Sequence, residues 1–180
     1  MSLQQELQSV DGEALTTIFD ELAAGSHERV LRGELPVEFY AVTGKFAVVE
    51  ALREATFQGT LGTQRGIATA HEIASGGFMA SAALGTYAST HSSPHLETVD
   101  PAQIPNAFVA FHNRLHAAGG SRFDAEMDAL LQNYPFIDVL MDLVLQDAID
   151  SGLNRTQVGN FGEGTLNAMG TLTTYAEAIG

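Results

Sequence analysis

Apolar residues recur at helical spacing along most of the chain. From Asp11, the residues Leu15, Ile18, Phe19 and Leu22 follow i, i+3, i+4 and i+7, with Asp11 placed as N-cap and Gly25 placed to end the helix. A polar connection over 27–34 leads to Pro36. The stretch 37–57 then carries Phe46, Val49 and Leu52 at near-helical spacing with a break at Thr43-Gly44, which predicts a short helix followed by a longer one. Thr60-Leu61-Gly62 reads as a turn. Beyond it, Thr63 to Ser75 sets Ile67, Ala70, His71 and Ala74 on one face, Gly76-Gly77 interrupts, and Phe78 to Ser89 resumes with Met79, Ala82, Ala83 and Leu84. Small residues predominate through this region, so it is expected to form a central, closely packed helical hairpin.

The segment from Ser89 to Pro105 holds three prolines among small polar residues and is predicted to be the longest loop. Asp100 or Asn106 can cap the next helix, which carries Phe108, Phe111 and Leu115 and stops at Gly119-Gly120. A short helix from Asp124 follows. Pro135 suits the first position of another, whose stripe Ile137, Leu140, Met141, Val144, Leu145 and Ala148 ends at Gly152. The last segment, Thr156 to Ile179, repeats apolar residues at helical spacing but carries four glycines, which lower its intrinsic preference for helix. No stretch alternates with period two over more than four residues. The pattern predicts an all-α fold: a single-domain bundle of about seven helices over 1–180.

Composition narrows what such a bundle does. The 22 acidic residues against 8 basic ones give a formal charge of −14, a field that repels phosphate backbones and anionic lipid heads, so neither nucleic acid nor membrane is an expected partner. Lys45 is the only lysine. The apolar stretch from Ile67 to Tyr87 contains His71 and Glu72 and reads as a buried helix, not a membrane span. The opening residues MSLQQELQSVDGE lack a basic region followed by an apolar one, so no secretory signal is expected and cytoplasmic residence is the default. No cysteine is present, which removes disulfides, thiol nucleophiles and thiolate metal ligands together.

The run LGTQRGIATAHEIASGGFMASAALGTYA, from Leu61 to Ala88, resembles the core hairpin of the alkylhydroperoxidase D-like and carboxymuconolactone decarboxylase-like family. That family shows a leucine turn, an Arg-Glu pair, an apolar helix and then Gly-Cys-x-x-Cys-x-x-x-His. Leu61, Arg65 and Gly77 stand in the matching places, and the stretch from Asp147 to Val158 is similar to the turn that opens the family's last helix. The catalytic positions differ: Gly66 replaces the glutamate, Phe78 and Ser81 the two cysteines, and Gly85 the histidine. An unassisted serine hydroxyl is a far weaker nucleophile than a thiolate, so the resemblance implies the family's helical scaffold and its trimeric or hexameric assembly without its thiol peroxidase chemistry.

The remaining reservoir of chemistry is the six histidines: His27, His71, His91, His95, His112 and His116. His112 and His116, at i and i+4, leave one side of their helix beside Phe108, a geometry that chelates a divalent ion, frames a pocket, or merely flanks a core stripe. His71 shares a face with Ile67 and Ala74 and is either a buried structural imidazole or part of a site. His71-Glu72 is not an HExxH motif, because Ser75 stands where the second histidine is required. His91 and His95 flank Pro94 in the long loop, as a lid or as plain surface. Glu50 and Glu54 lack the Glu-x-x-His spacing of di-iron bundles and read as a solvated acidic face. The glycine pairs lack the strand and lysine of a phosphate loop, and no G-x-S-x-G elbow is present, so the residues assign neither a cofactor nor a metal.

Two readings follow. One is a small-molecule lyase or isomerase in which His112, His116 and His71 surround an interhelical pocket and move protons, with or without a metal. The other is a non-catalytic, homo-oligomeric structural or assembly subunit. They part on whether His112 and His116 converge with other polar groups in an enclosed pocket or face outward separately.

Overall fold

The computed structural model describes residues 2–24, 42–91 and 94–180, and these are helical with no strand among them. The helices are α1 (Leu3–Gln8), α2 (Gly12–Ala23), α3 (Ala47–Leu61), α4 (Ile67–Thr90), α5 (Pro94–Glu97), α6 (Ile104–Ala118), α7 (Ser121–Asn133), α8 (Phe136–Asp150) and α9 (Arg155–Ile179), with a 3-10 turn at Pro101–Gln103. The all-α expectation holds; the segments are more numerous than seven. His27 and the connection over 27–34, with Pro36 and Val37, lie outside the described residues.

Local chemistry explains most boundaries. The Ser2 hydroxyl accepts from Gln5 N while the Gln5 side chain accepts from Ser2 N, a reciprocal cap that starts α1 before the first predicted helix. Asp11 caps α2 as expected, its carboxylate accepting from Glu13 N at 3.0 Å. Asn154 and Gln157 repeat the reciprocal cap at the start of α9. The predicted long loop is mostly wound into α5 and the 3-10 turn, which Asp100 caps through Ala102 N at 3.0 Å and which runs straight into α6. The helix expected from Asp124 begins three residues earlier, so Asp124 lies in its first turn.

One expectation fails. Gly76-Gly77 does not interrupt the central segment: α4 runs unbroken for 24 residues, with 16 of them buried. The central element is therefore not a hairpin broken at that pair. A Cβ on Gly76 would lie 2.1 Å from the Phe161 carbonyl oxygen, and one on Gly164 would lie 1.6 Å from that of Ile73. The glycines let α4 and α9 approach backbone to backbone, and packing from both helices offsets a helix-propensity cost of about 1 kcal/mol each. Thr165 sits in this seam and donates to the Gly76 carbonyl at 3.2 Å and to that of Phe161 at 3.1 Å.

Around the α4/α9 pair, α2, α3 and α8 pack on α4, while α1, α6 and α8 pack on α9. The core is one cluster that runs from Leu3 on α1 to Ala176 on α9, with Phe19, Phe46, Phe78, Phe111, Phe136 and Phe161 as its bulky members. Two buried tyrosines tie helix starts to it. The Tyr87 hydroxyl accepts from Asp11 N at 3.0 Å, and that of Tyr175 from Asp100 N at 3.1 Å. Among the described residues no helix is long and apolar enough to cross a membrane.

Candidate functional site

Phe78 and Ser81, the residues the resemblance sets where two cysteines would stand, are core positions. Phe78 is fully buried, and Ser81, also buried, donates its hydroxyl to the Gly77 carbonyl one turn back at 2.7 Å. A Cβ on Gly85 would meet Val42 at 2.9 Å and Phe46 at 3.3 Å. Arg65 pairs with Glu163 through both guanidinium nitrogens, the longer bond 3.0 Å, and clasps the turn before α4 to α9. That hydrogen-bonded partner raises the Arg65 pKa.

The histidines are dispersed. His71, half-buried on the second turn of α4, lies 4.8 Å from the Phe57 ring of α3 with the planes tilted by 43°. His112 donates Nδ1–H to the Phe108 carbonyl at 2.9 Å, because a carbonyl can only accept; its ring stacks on Phe108 at 4.0 Å and meets the edge of Phe111 at 5.4 Å. That leaves Nε2 as its one free nitrogen. His116, one turn on, is exposed. His91 stacks on Tyr87 at 4.2 Å, and His95 Nδ1 is 2.6 Å from Glu6 Oε1 on α1. Among the described residues no three His, Asp or Glu side chains are grouped to hold a metal ion. His112 and His116 share a helix; nothing draws His71 to them as one polar cluster.

A groove of about 550 Å³ lies instead between α3 and the start of α6. Its α3 wall is the i, i+4, i+8 stripe Ala51, Ala55 and Gly59, with Glu54 and Gln58 at the rim. Facing it are Pro101 of the 3-10 turn and Pro105, Phe108 and Val109 of α6. The recess exists because the α3 stripe has almost no side chain. A Cβ on Gly59 would fall 2.4 Å from the Phe108 ring, which occupies the space that a side chain there would take. Behind it His112 holds the ring by stacking. Val109, 56% exposed, supplies one lip. At the rim Glu54 Oε1 accepts from Gln58 Nε2 at 2.9 Å, and Arg53 is turned to Glu50, with Nε 3.0 Å from Oε2. None of His71, His112 and His116 lines the groove.

Two further constellations carry charge. Tyr134, fully buried, donates its hydroxyl to Glu177 Oε1 at 2.9 Å; burial first and this bond second push its pKa up to about 12. Arg114 lies 3.5 Å from Glu177 and 3.7 Å from Glu126, so it is already neutralised where it borders an α6/α7 recess with Arg122. Glu6 is 8% exposed, with Oε1 on His95 and Oε2 without a hydrogen-bond partner among the described residues. The adjoining cavity of about 10 Å³ holds at most a water.

Glu50 and Glu54, expected as one solvated acidic face, differ: Glu50 is half-buried and paired with Arg53, and Glu54 is exposed at the groove. The groove itself has its sequence signals in the i, i+4 spacing of Ala51, Ala55 and Gly59 and in the Pro101/Pro105 pair. No protein-family model, curated protein or solved structure matches the chain.

Proposed function

We propose that the chain is a non-catalytic helical binding protein that takes an apolar small molecule into the groove between α3 and α6. The observation that carries this reading is the composition of the groove: seven of its nine lining residues are Ala, Gly, Pro, Phe or Val, and no histidine lines it. A volume near 550 Å³ falls in the range of small-ligand pockets, about 300–1,000 Å³, which are lined mainly by apolar groups with a few polar ones at fixed places. Proton transfer finds less support, since His112 spends Nδ1 on its own helix and His116 faces outward. Titration with the neutral fluorophore N-phenyl-1-naphthylamine tests the proposal. The wild type should bind it saturably, and Ala55→Trp, which fills the groove, should abolish binding while the far-UV spectrum stays helical. Val109→Gln, at an exposed lip that folding does not depend on, should weaken binding several-fold.

The assembly reading keeps one observation in its favour. Ile67, Val109 and Ile149 are each more than half exposed, on three different helices. Light scattering checks it: a single oligomeric mass that Ile67→Glu or Ile149→Glu dissociates supports a homo-oligomer, and a monomer at all concentrations removes it.

A further inference from the structure

We infer that the α3/α6 groove selects amphiphiles that carry a positive head group, an inference that rests on the groove being a ligand site. Its floor and walls reward any apolar body, so the choice of head group falls to the rim. Among the described residues of the lining, Glu54 alone is ionisable. Its Oε1 accepts from Gln58 Nε2 at 2.9 Å, which orients the carboxylate at the mouth. Arg53, the cation beside it in sequence, gives both its Nε and Nη2 to Glu50. Arg53 therefore draws on Glu54 only through space, and among the described residues no cation lines the groove.

The whole-chain field acts in the same direction. A formal charge of −14 raises the local concentration of cations and opposes the approach of an anionic head. A primary ammonium at the mouth donates a charge-assisted hydrogen bond to that carboxylate, and a quaternary one gains the Coulombic attraction alone. A sulfate or carboxylate head meets repulsion at the same point.

Three ten-carbon amphiphiles, each below its micelle concentration, separate these effects: decyltrimethylammonium, decyl sulfate and decylamine, competing against N-phenyl-1-naphthylamine. In the wild type both cations should displace the probe at a concentration at least about fivefold below that of decyl sulfate, the scale of a partly exposed ion pair. The Glu54→Gln variant should bring the cation-to-sulfate ratio down by about the same factor. The Glu50→Gln variant, whose carboxylate is committed to Arg53, should move it less. If the neutral probe binds and the wild type shows no preference, or Glu54→Gln leaves the preference intact, the head-group inference is overturned while the groove stands as a ligand site. If the probe does not bind, or binds Ala55→Trp as well as wild type, the ligand-site reading itself is overturned.

Discussion

The α4/α9 seam sets the sharpest expectation. Replacing Gly164 by alanine adds one methyl group, which gains about 1 kcal/mol of intrinsic helix stability. That methyl would stand 1.6 Å from the Ile73 carbonyl oxygen, 2.6 Å from its carbon and 3.0 Å from Gly77 N. Ordinary contact begins near 3.4 Å, so the helices must part by about 1.8 Å, and every obstructing atom is backbone. A gap of 0.5–1 Å already forfeits about a quarter to a half of a dispersion contact. The bond from Thr165 to the Gly76 carbonyl is lost too, at about 1 kcal/mol. Overpacking of cores costs about 1–3 kcal/mol where side chains can yield, and here they cannot. We expect a net loss of at least about 3 kcal/mol after the propensity gain, which at a urea m-value of about 2 kcal/mol/M lowers the midpoint by about 1.5 M. Urea unfolding followed by circular dichroism at 222 nm reads it. Gly77→Ala, whose methyl meets the Gly164 carbonyl oxygen at 2.8 Å, should fall between Gly164→Ala and wild type. Gly159→Ala, with nothing within 4 Å, should be neutral or stabilising by up to about 1 kcal/mol. A Gly164→Ala midpoint equal to wild type or above it would refute the claim that this glycine exists for backbone approach.

Other consequences are open to the same assay. With Tyr134 raised from 10.0 to about 12, the phenol is protonated in both folded and unfolded chains below pH 10 and its contribution is fully present. From there to about pH 12 the unfolded chain ionises first, and stability falls by about 2 to 3 kcal/mol; Tyr134→Phe should remove that part of the pH slope. His95→Ala strips from the buried Glu6 carboxylate its one hydrogen-bond partner among the described residues and should cost about 2 kcal/mol. A loss under about 0.5 kcal/mol would show that the pair is no better than a surface one. His112→Ala, which removes the stack under Phe108, should cost about 1 kcal/mol, whereas His116→Ala should be neutral. Equal effects would contradict the separate roles assigned to them.

Local physics explains what could be read early. Apolar spacing placed α2, α6, α8 and α9, because an amphipathic helix writes its buried face into the sequence every three or four residues. Asp11 caps α2 as its neighbours require, whereas Asp100, offered with Asn106 as the cap of the helix carrying Phe108, caps the 3-10 turn ahead of it, and α6 starts after Gln103 without a side-chain cap. Ser2 was missed at the start of α1, although its partner Gln5 stands at the spacing a reciprocal cap requires. The prolines of the region from Ser89 to Pro105 predict a loop, yet Pro94, Pro101 and Pro105 each stand in the first turn of a helical segment, where the missing N–H costs nothing. The histidines were visible as residue types only; whether an imidazole meets a ring, a carboxylate or water depends on a neighbouring helix.

The sequence by itself determined an all-helical chain, its acidic field, the absence of thiol chemistry and the starts of α2, α8 and α9 to within a residue, since each depends on composition or on residues a few positions apart. The tertiary structure decided what Gly76, Gly77 and Gly164 are for. In sequence a glycine pair within a helix reads as a breaker, because its cost is local; its return comes from a backbone almost 90 positions away that packs where a side chain would otherwise stand. The groove follows the same logic on a smaller scale. Ala51, Ala55 and Gly59 form a recess only because α6 sets Phe108 and two prolines opposite them, a juxtaposition that neither helix encodes alone.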